Sequence, residues 1–479
     1  MKKCAEGKHM KTKVVNPNVK NFIKSLRDIG YSFDVAVADI IDNSITAKSS
    51  SIKILATAEP MILSILDNGD GMSCAELVEA MRLATKDPDE NREKNDLGRF
   101  GLGLKTASFS QCKKMTVISK KSGVVSARLW DLDYIEEKNE WLLITPDEYD
   151  SLPLVEELRQ QDSGTLVVWQ NIDRYTRDGF TEKLDKLRKH LELVFHRFFS
   201  GEDSFSRLKM YINNNQLKAF NPFNIENYAT QEIKPEKIKH YDFKIIVTPY
   251  ILPHHSKTKP QEYQRYATEE GYTKSQGFYL YRANRLLIYG TWWGLHKMGD
   301  AHNLVRIKID IGNNQDKIWG IDIKKSTASP TIGLKKDLKR IIRQVTEKGS
   351  RPYTGRGRKI EDKTTTRFWH TVPNEDEFRF AANKDHPVYQ KLTSVLSEES
   401  LKQLDFYLKG LQAYLPLDSI QAHLQENPHK IKQEDALPEK EIKLLADKLK
   451  KSELDREYVD SLLKTELFKN RKELLRNDS

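Results

Sequence analysis

Asp39 and Asn43 stand four residues apart in AVADIIDNS, and Asp42 falls beside them. Residues at i and i+4 of a helix share one face, so a carboxylate and a neutral side-chain oxygen would point the same way. A carboxylate there can polarise water for attack on a phosphate. An amide oxygen suits a hard cation such as magnesium. A second acid lies further on, in LDNGDGM, where Asp67 ends an apolar run and is followed by Gly69, Gly71 and Met72. A carboxylate at a strand end can accept from the exocyclic amine of adenine. The glycines let the backbone turn and approach a base closely, and Met72 can pack on it. A third element, LGRFGLGLKTAS, brings Gly98, Gly101, Leu102, Gly103 and Lys105. Glycines ahead of a helix aim N–H groups at phosphates, and Lys105 would add a mobile cation. Each piece has an ordinary reading: a solvated helix face, a hairpin tip, a packing site. Their order along the chain argues for one nucleotide site.

The elements that must hold these residues follow from periodicity. NVKNFIKSLRDIG (18–30) and FDVAVADIIDNSITA (33–47) carry apolar residues at helical spacing. The second is apolar on more than one side, so its polar groups need partners. SIKILATAEPMILSILD reads as two strands joined at Glu59-Pro60, and residues 73–96 as polar with one short helix. MTVISKK and VVSARLWDLDYI read as a hairpin turning at Ser122-Gly123. GTLVVWQNI (164–172) reads as a strand and residues 182–199 as an amphipathic helix. Beyond FNPF, strands are expected at 243–251, 277–289 and 303–311, and a helix at 332–349. RPYTGRGRKIEDKTTTR looks like a charged linker, and helices are expected from about 385 onward.

This order of motifs resembles the GHKL ATPase superfamily of gyrase, heat-shock chaperones, histidine kinases and MutL. Its N-box is similar to ADIIDNSITA, its first glycine box to DNGDGM and its second to GRFGLGLKTAS. A later threonine box is similar to GTLVV, which makes Thr165 a nucleotide contact. Within the superfamily GLGLKTAS looks most like MORC-type ATPases and their bacterial relatives. The resemblance implies an α+β class, with a Bergerat-fold domain whose antiparallel or mixed sheet is backed by helices. It implies ATP and Mg2+ as cofactors, with Asn43 at the metal and Asp39 as general base. The family usually has glutamate at that place. Aspartate draws the carboxylate back by about one bond, and a ~1 Å misplacement can cost ~100-fold in rate.

The resemblance also implies an α/β transducer domain that sends a lysine to the γ-phosphate. WGIDIKKSTASP offers Lys325, with Lys324 close behind; two surface lysines at a strand end is the competing reading. The division expected is a GHKL ATPase domain at 1–225, a transducer-like domain at 226–350, a basic linker at 351–372 and a helical C-terminal domain at 373–479.

Composition limits the rest. Lysine and arginine exceed aspartate and glutamate for a formal charge of +10, which is compatible with nucleic acid but does not require it. Lys335, Lys336, Lys339, Arg340 and Arg343 fall along one expected helix, with Arg351, Arg356, Arg358 and Lys359 after it. Such cations suit the phosphate backbone without reading sequence. Three separated cysteines make neither a disulfide framework nor a zinc site. No apolar run approaches a membrane helix and no secretory h-region follows the basic N-terminus, so a cytoplasmic protein is expected.

The function expected is Mg-dependent ATP hydrolysis that closes a homodimer clamp through the ATP-bound N-terminal domains. DNA is the expected substrate, with a role in restriction or antiphage defence and a possible operon-encoded protein partner. A chaperone-like clamp on client proteins is the alternative.

Overall fold

The computed structural model describes residues 18–83, 97–98, 101–201, 207–240, 243–268, 270–322, 325, 327–358, 365–374, 377–426, 430–451 and 456–475. Two helices open it, α1 (Val19–Arg27) and α2 (Phe33–Thr46), followed by strands β1 (Ser51–Ala58) and β2 (Met61–Asp67). Then come α3 (Cys74–Met81), α4 (Gly103–Gln111), β3 (Cys112–Lys121), β4 (Val124–Asp131), α5 (Leu132–Lys138), α6 (Val155–Gln160) and β5 (Gly164–Ile172). The unit closes with α7 (Arg177–Val194), α8 (His196–Ser200), β6 (Lys209–Ile212) and β7 (Asn215–Gln216).

The first sheet runs β4-β3-β5-β2-β1-β6-β7 and is antiparallel except where β1 meets β6. Alternation along the strands divides its two faces. Ile52, Ile54, Leu63, Ile65, Met115, Val117, Val167 and Trp169 meet the helices in the main core. Leu66, Ile118, Leu166 and Val168 look the other way, toward Val155 and Leu158 of α6. This is a mixed sheet backed by helices in an α+β fold. β5 inserts between the two hairpins, and its register sets Thr165 opposite Asp67 on one side and Ser119 on the other.

A second sheet is built from β8 (Gln231–Glu232), β9 (Glu236–His240), β10 (Phe243–Ile251), β11 (Gly277–Arg282), β12 (Arg285–Thr291) and β13 (Val305–Ile311). Short helices α9 (Pro260–Ala267) and α10 (Gly271–Lys274) precede β11. The order is β12-β11-β13-β10-β8, with β9 also on β10. Helix α11 (Ile332–Arg358) covers one face through Leu334, Leu338, Ile341, Ile342 and Val345. The other face carries Tyr250, Tyr279 and Tyr281 against Phe220, Phe223 and Leu193 at the end of α7. The aromatics of YRANRLLIYGTWW are thus mostly core: Tyr281 and Trp292 are buried.

Three expectations are corrected. The strand read over 277–289 is a hairpin, β11 and β12, turning at Ala283-Asn284 with φ of 45° and 69°. Both residues are left-handed, the backbone of a two-residue turn that Asn-Gly normally announces, and alanine hid it. The basic linker of 351–372 is helical through Arg358 and already in strand by Trp369; residues 359–364, Lys359 among them, lie outside the described set. The C-terminal region is not purely helical either. It opens on the hairpin β14 (Trp369–Asn374) and β15 (Glu377–Ala382). α12 (Pro387–Thr393), α13 (Glu398–Ala413), α14 (Leu417–Glu426), α15 (Glu439–Lys451) and α16 (Arg456–Leu462) follow; α15, α16 and the segment after them share a small core of Ile442, Ala446, Leu462, Leu467 and Phe468, with Val388 of α12 packed against it.

Candidate functional site

Between α2, the end of β2 and the start of α4 lies a cavity of about 250 Å3. Asp39, Asn43, Asp67, Gly71, Met72, Gly98, Gly101, Gly103, Lys105, Thr165 and Lys325 all line it. Two expected contacts do not. Gly69 faces away: a side chain there would meet the Ala47 carbonyl at 2.6 Å and Ser49 Oγ at 2.7 Å, so close packing on α2 accounts for the glycine. Leu102 caps α4, its carbonyl accepting from the N–H groups of Lys105 and Thr106. Lys324 lies outside the described residues, as do residues 84–96 and 99–100 around the glycine stretch.

Asp67 is placed by strand pairing. Its Oδ1 accepts from Gly69 N (2.9 Å) and Thr165 N (3.2 Å), and its Oδ2 accepts from Ser44 Oγ at 2.8 Å. Burial pushes its carboxyl above the usual range, and these three donors pull against it. Ser119 ties the neighbouring strands together. Its hydroxyl meets Thr165 Oγ1 at 2.9 Å and accepts from Met72 N at 2.8 Å. Gly71 has φ +66° and sits so tightly on Lys120 O that a Cβ would fall 2.0 Å from it. There the glycine is obligatory.

Asp39 is buried, with Oδ2 accepting from Tyr31 OH (3.0 Å) and Oδ1 from Lys325 Nζ (3.3 Å). Burial pushes its carboxyl up most. Lys325 opposes this, Asp42 adds to it, and Arg285 and the Tyr31 hydroxyl lower it. Asp42 is buried one turn on. Its Oδ2 meets Lys325 Nζ at 2.5 Å, and its Oδ1 pairs with Arg285 Nε at 2.7 Å. Two acids of α2 therefore face two cations of the second unit, all four buried. Buried charges persist when paired in this way. Lys325 holds its place with φ 54°, in a turn where its N–H donates to Asp322 O at 3.1 Å. A left-handed lysine costs on the order of 1 kcal/mol, the kind of strain that concentrates at functional sites.

Asn43 is exposed toward the cavity, and its Nδ2 donates to Asp39 O at 3.2 Å. That bond commits the nitrogen and leaves the oxygen as the acceptor end, which fits a magnesium ligand. Lys105 departs from expectation. It is buried, and its ammonium donates to Ala80 O (2.9 Å) and Gly101 O (2.6 Å), so it ties α3 to the glycine stretch rather than reaching freely outward. Gly103 starts α4, and a Cβ there would stand 3.7 Å from Asp39 Oδ2.

Sequence reasoning missed Tyr31, Ser44 and Arg285. Ser44 directly follows Asn43, and its spacing in IDNS was a usable signal. Arg285 had none once its turn was read as strand.

Comparison with known proteins gives the same reading. Residues 31–165 match the family model described as histidine kinase-, DNA gyrase B- and HSP90-like ATPase. The ATPase MORC2B of Mus musculus is 25% identical over 165 residues, covering 33% of this chain and 14% of that protein. The ATPase morc-1 of Caenorhabditis elegans is 24% identical over 152 residues, covering 30% of this chain and 18% of that protein. The chain thus spans less than a fifth of the length of either relative. The matched span holds Asp39, Asn43, Asp67, the glycine stretch and Thr165, and the chain carries a GHKL-type ATPase domain similar to that of MORC ATPases.

Proposed function

We propose that this chain binds ATP with Mg2+ in the cavity under α2, hydrolyses it, and uses the nucleotide to close a homodimer clamp on DNA. One observation carries the reading. Two acids and an asparagine of the first unit share one cavity with Lys325, 286 residues from Asp39, brought in by the second. In this reading Asp67 accepts from the adenine amine, with Met72 packing on the base and Gly71 and Thr165 beside it. Gly98, Gly101 and Gly103 face the phosphates, and the N-terminus of α4 adds its positive end. Asn43 holds Mg2+, which when bound neutralises phosphate charge. Asp39 takes a proton from water, and Lys325 leaves the acid pair for the γ-phosphate.

DNA as the substrate rests on the outer face of α11. There Lys336, Lys339 and Arg343 are exposed, and on β9 and β10 Lys237, Lys239 and Lys244 are exposed as well. Arg340 is engaged with Glu236 at 2.5 Å. Exposed cations of this kind bind phosphate backbones without sequence preference. We extend the reading to restriction or antiphage defence, where a clamp on foreign DNA has evident use.

The test is phosphate release from ATP with and without duplex DNA, together with solution mass in a non-hydrolysable analogue. The expected result is DNA-stimulated turnover and a mass that doubles with the analogue. Stimulation by unfolded protein instead of DNA would favour the chaperone-like clamp, and no phosphate release at all would remove the ATPase reading.

A further inference from the structure

The β11–β12 hairpin tip inserts the run Arg282-Ala283-Asn284-Arg285 toward the first unit. Ala283 packs on the main core there, and Asn284 Oδ1 accepts from Arg197 at 3.1 Å. Arg285 reaches the acid pair. Arg282 is fully buried and lies outside the cavity lining, yet its guanidinium joins three segments. Nε and Nη2 form a fork on Asp316, at 2.6 and 2.8 Å. Nη1 donates to Leu97 O at 3.2 Å. Asp316 begins the turn that carries the lysine: its carbonyl accepts from Ile321 N at 3.2 Å, and Asp322 O holds Lys325 N. Leu97 immediately precedes cavity-lining Gly98, and its N–H meets Thr46 Oγ1 of α2 at 3.4 Å. One rigid planar cation thus fixes the lysine-bearing turn and the glycine stretch in a common frame.

We propose that Arg282, through its fork on Asp316, is a positioning residue that sets Lys325 against the glycine stretch for hydrolysis. This rests on the reading of the cavity as an ATP site. The physical case is geometric. A fork with a third donor fixes orientation as well as distance, which a lysine's point charge does not. Removing the cation outright would take the forked partner from a buried carboxylate and threaten folding. The informative variant is therefore Arg282→Lys, which keeps the charge and loses the fork.

The test uses the full chain with four proteins: the parent, Arg282→Lys, Lys325→Ala and the double variant. For Arg282→Lys the expected turnover is down about 10- to 100-fold, with KM within about threefold. The double variant should be no slower than Lys325→Ala, because Arg282 acts through that lysine. Arg282→Lys turnover within twofold of the parent overturns the proposal. So does a double variant that loses the product of the two single losses, since that marks a general structural role.

Hydrogen exchange on the ligand-free chain separates this from the ATPase reading. Arg282→Lys should speed backbone exchange both at 97–98 and across 316–325. If the parent releases no phosphate, the ATPase reading falls and the tie is judged on exchange alone. A change in only one of the two segments, or in neither, overturns it.

Discussion

Asp39 has its carboxylate divided between a tyrosine hydroxyl and an ammonium, with the bare Cα of Gly103 leaving room beside it. A base held in this way should be separable from binding. Asp39→Ala is expected to keep nucleotide affinity within a few-fold, by calorimetry, while phosphate release falls by about 100-fold or more. Unchanged release would take Asp39 out of the base role. Because burial raises its carboxyl, the ionised base is lost at a higher pH than for a free aspartate. The parent's turnover should therefore decline on acidification before the ordinary carboxylate range is reached. The sign for stability is opposite. A carboxyl raised by folding favours the folded state most below its unfolded pKa, and that advantage disappears as pH rises through the folded one. Asp67 follows the same rule. Asp67→Asn should weaken ATP binding by on the order of 100-fold, since an amide donor would meet the adenine amine, with the neutral-pH Tm unchanged or higher. Normal binding by that variant would return LDNGDGM to being a turn.

Among the elements, α2 and β2 were legible because their apolar periods are strong and unbroken. The i, i+4 spacing then placed Asp39 and Asn43 correctly on one wall. The insertion of β5 between two hairpins was not legible, because nothing local in GTLVVWQNI says which neighbours it takes. The β11–β12 tip was hidden by an alanine in a left-handed position, and with it Arg282 and Arg285. Lys105 was misjudged for another reason: its flexible stem let carbonyls of α3 and the glycine stretch capture it. α4 offers a test at this scale. Gly103 has ordinary helical geometry at the helix start, so Gly103→Ala should gain up to about 1 kcal/mol in denaturant unfolding. The same methyl, 3.7 Å from Asp39 Oδ2, should slow phosphate release by crowding the water. A variant both stabler and equally fast would show that water reaches Asp39 by another side.

Across the whole molecule, two large sheets with their own cores meet through an apolar seam, Tyr279 and Tyr281 against Leu193 and Phe223, and through a buried charged contact, with the hairpin tip and the Lys325 turn against α2. Among the described residues no helix is long and apolar enough to cross a membrane. The cations offered to DNA lie on the far face of α11 and on β9 and β10, open to solvent. The four charges between the units are buried. Salt distinguishes these two sets. Mobile ions gather around exposed lysines and cut their reach to about 10 Å at 0.1 M, but they hardly enter a protein interior. Raising salt from about 0.05 to about 0.5 M should therefore erase DNA stimulation, with a steep log–log slope, while the DNA-independent rate stays nearly level. A basal rate that fell in parallel would mean that salt ions reach the acid pair and its two cations. The buried quartet thus acts as an ion-excluding compartment. If the exposed lysines bind DNA as proposed, the molecule would sense a polyanion outside through one set of charges while its internal contact stayed deaf to the ionic strength of the medium.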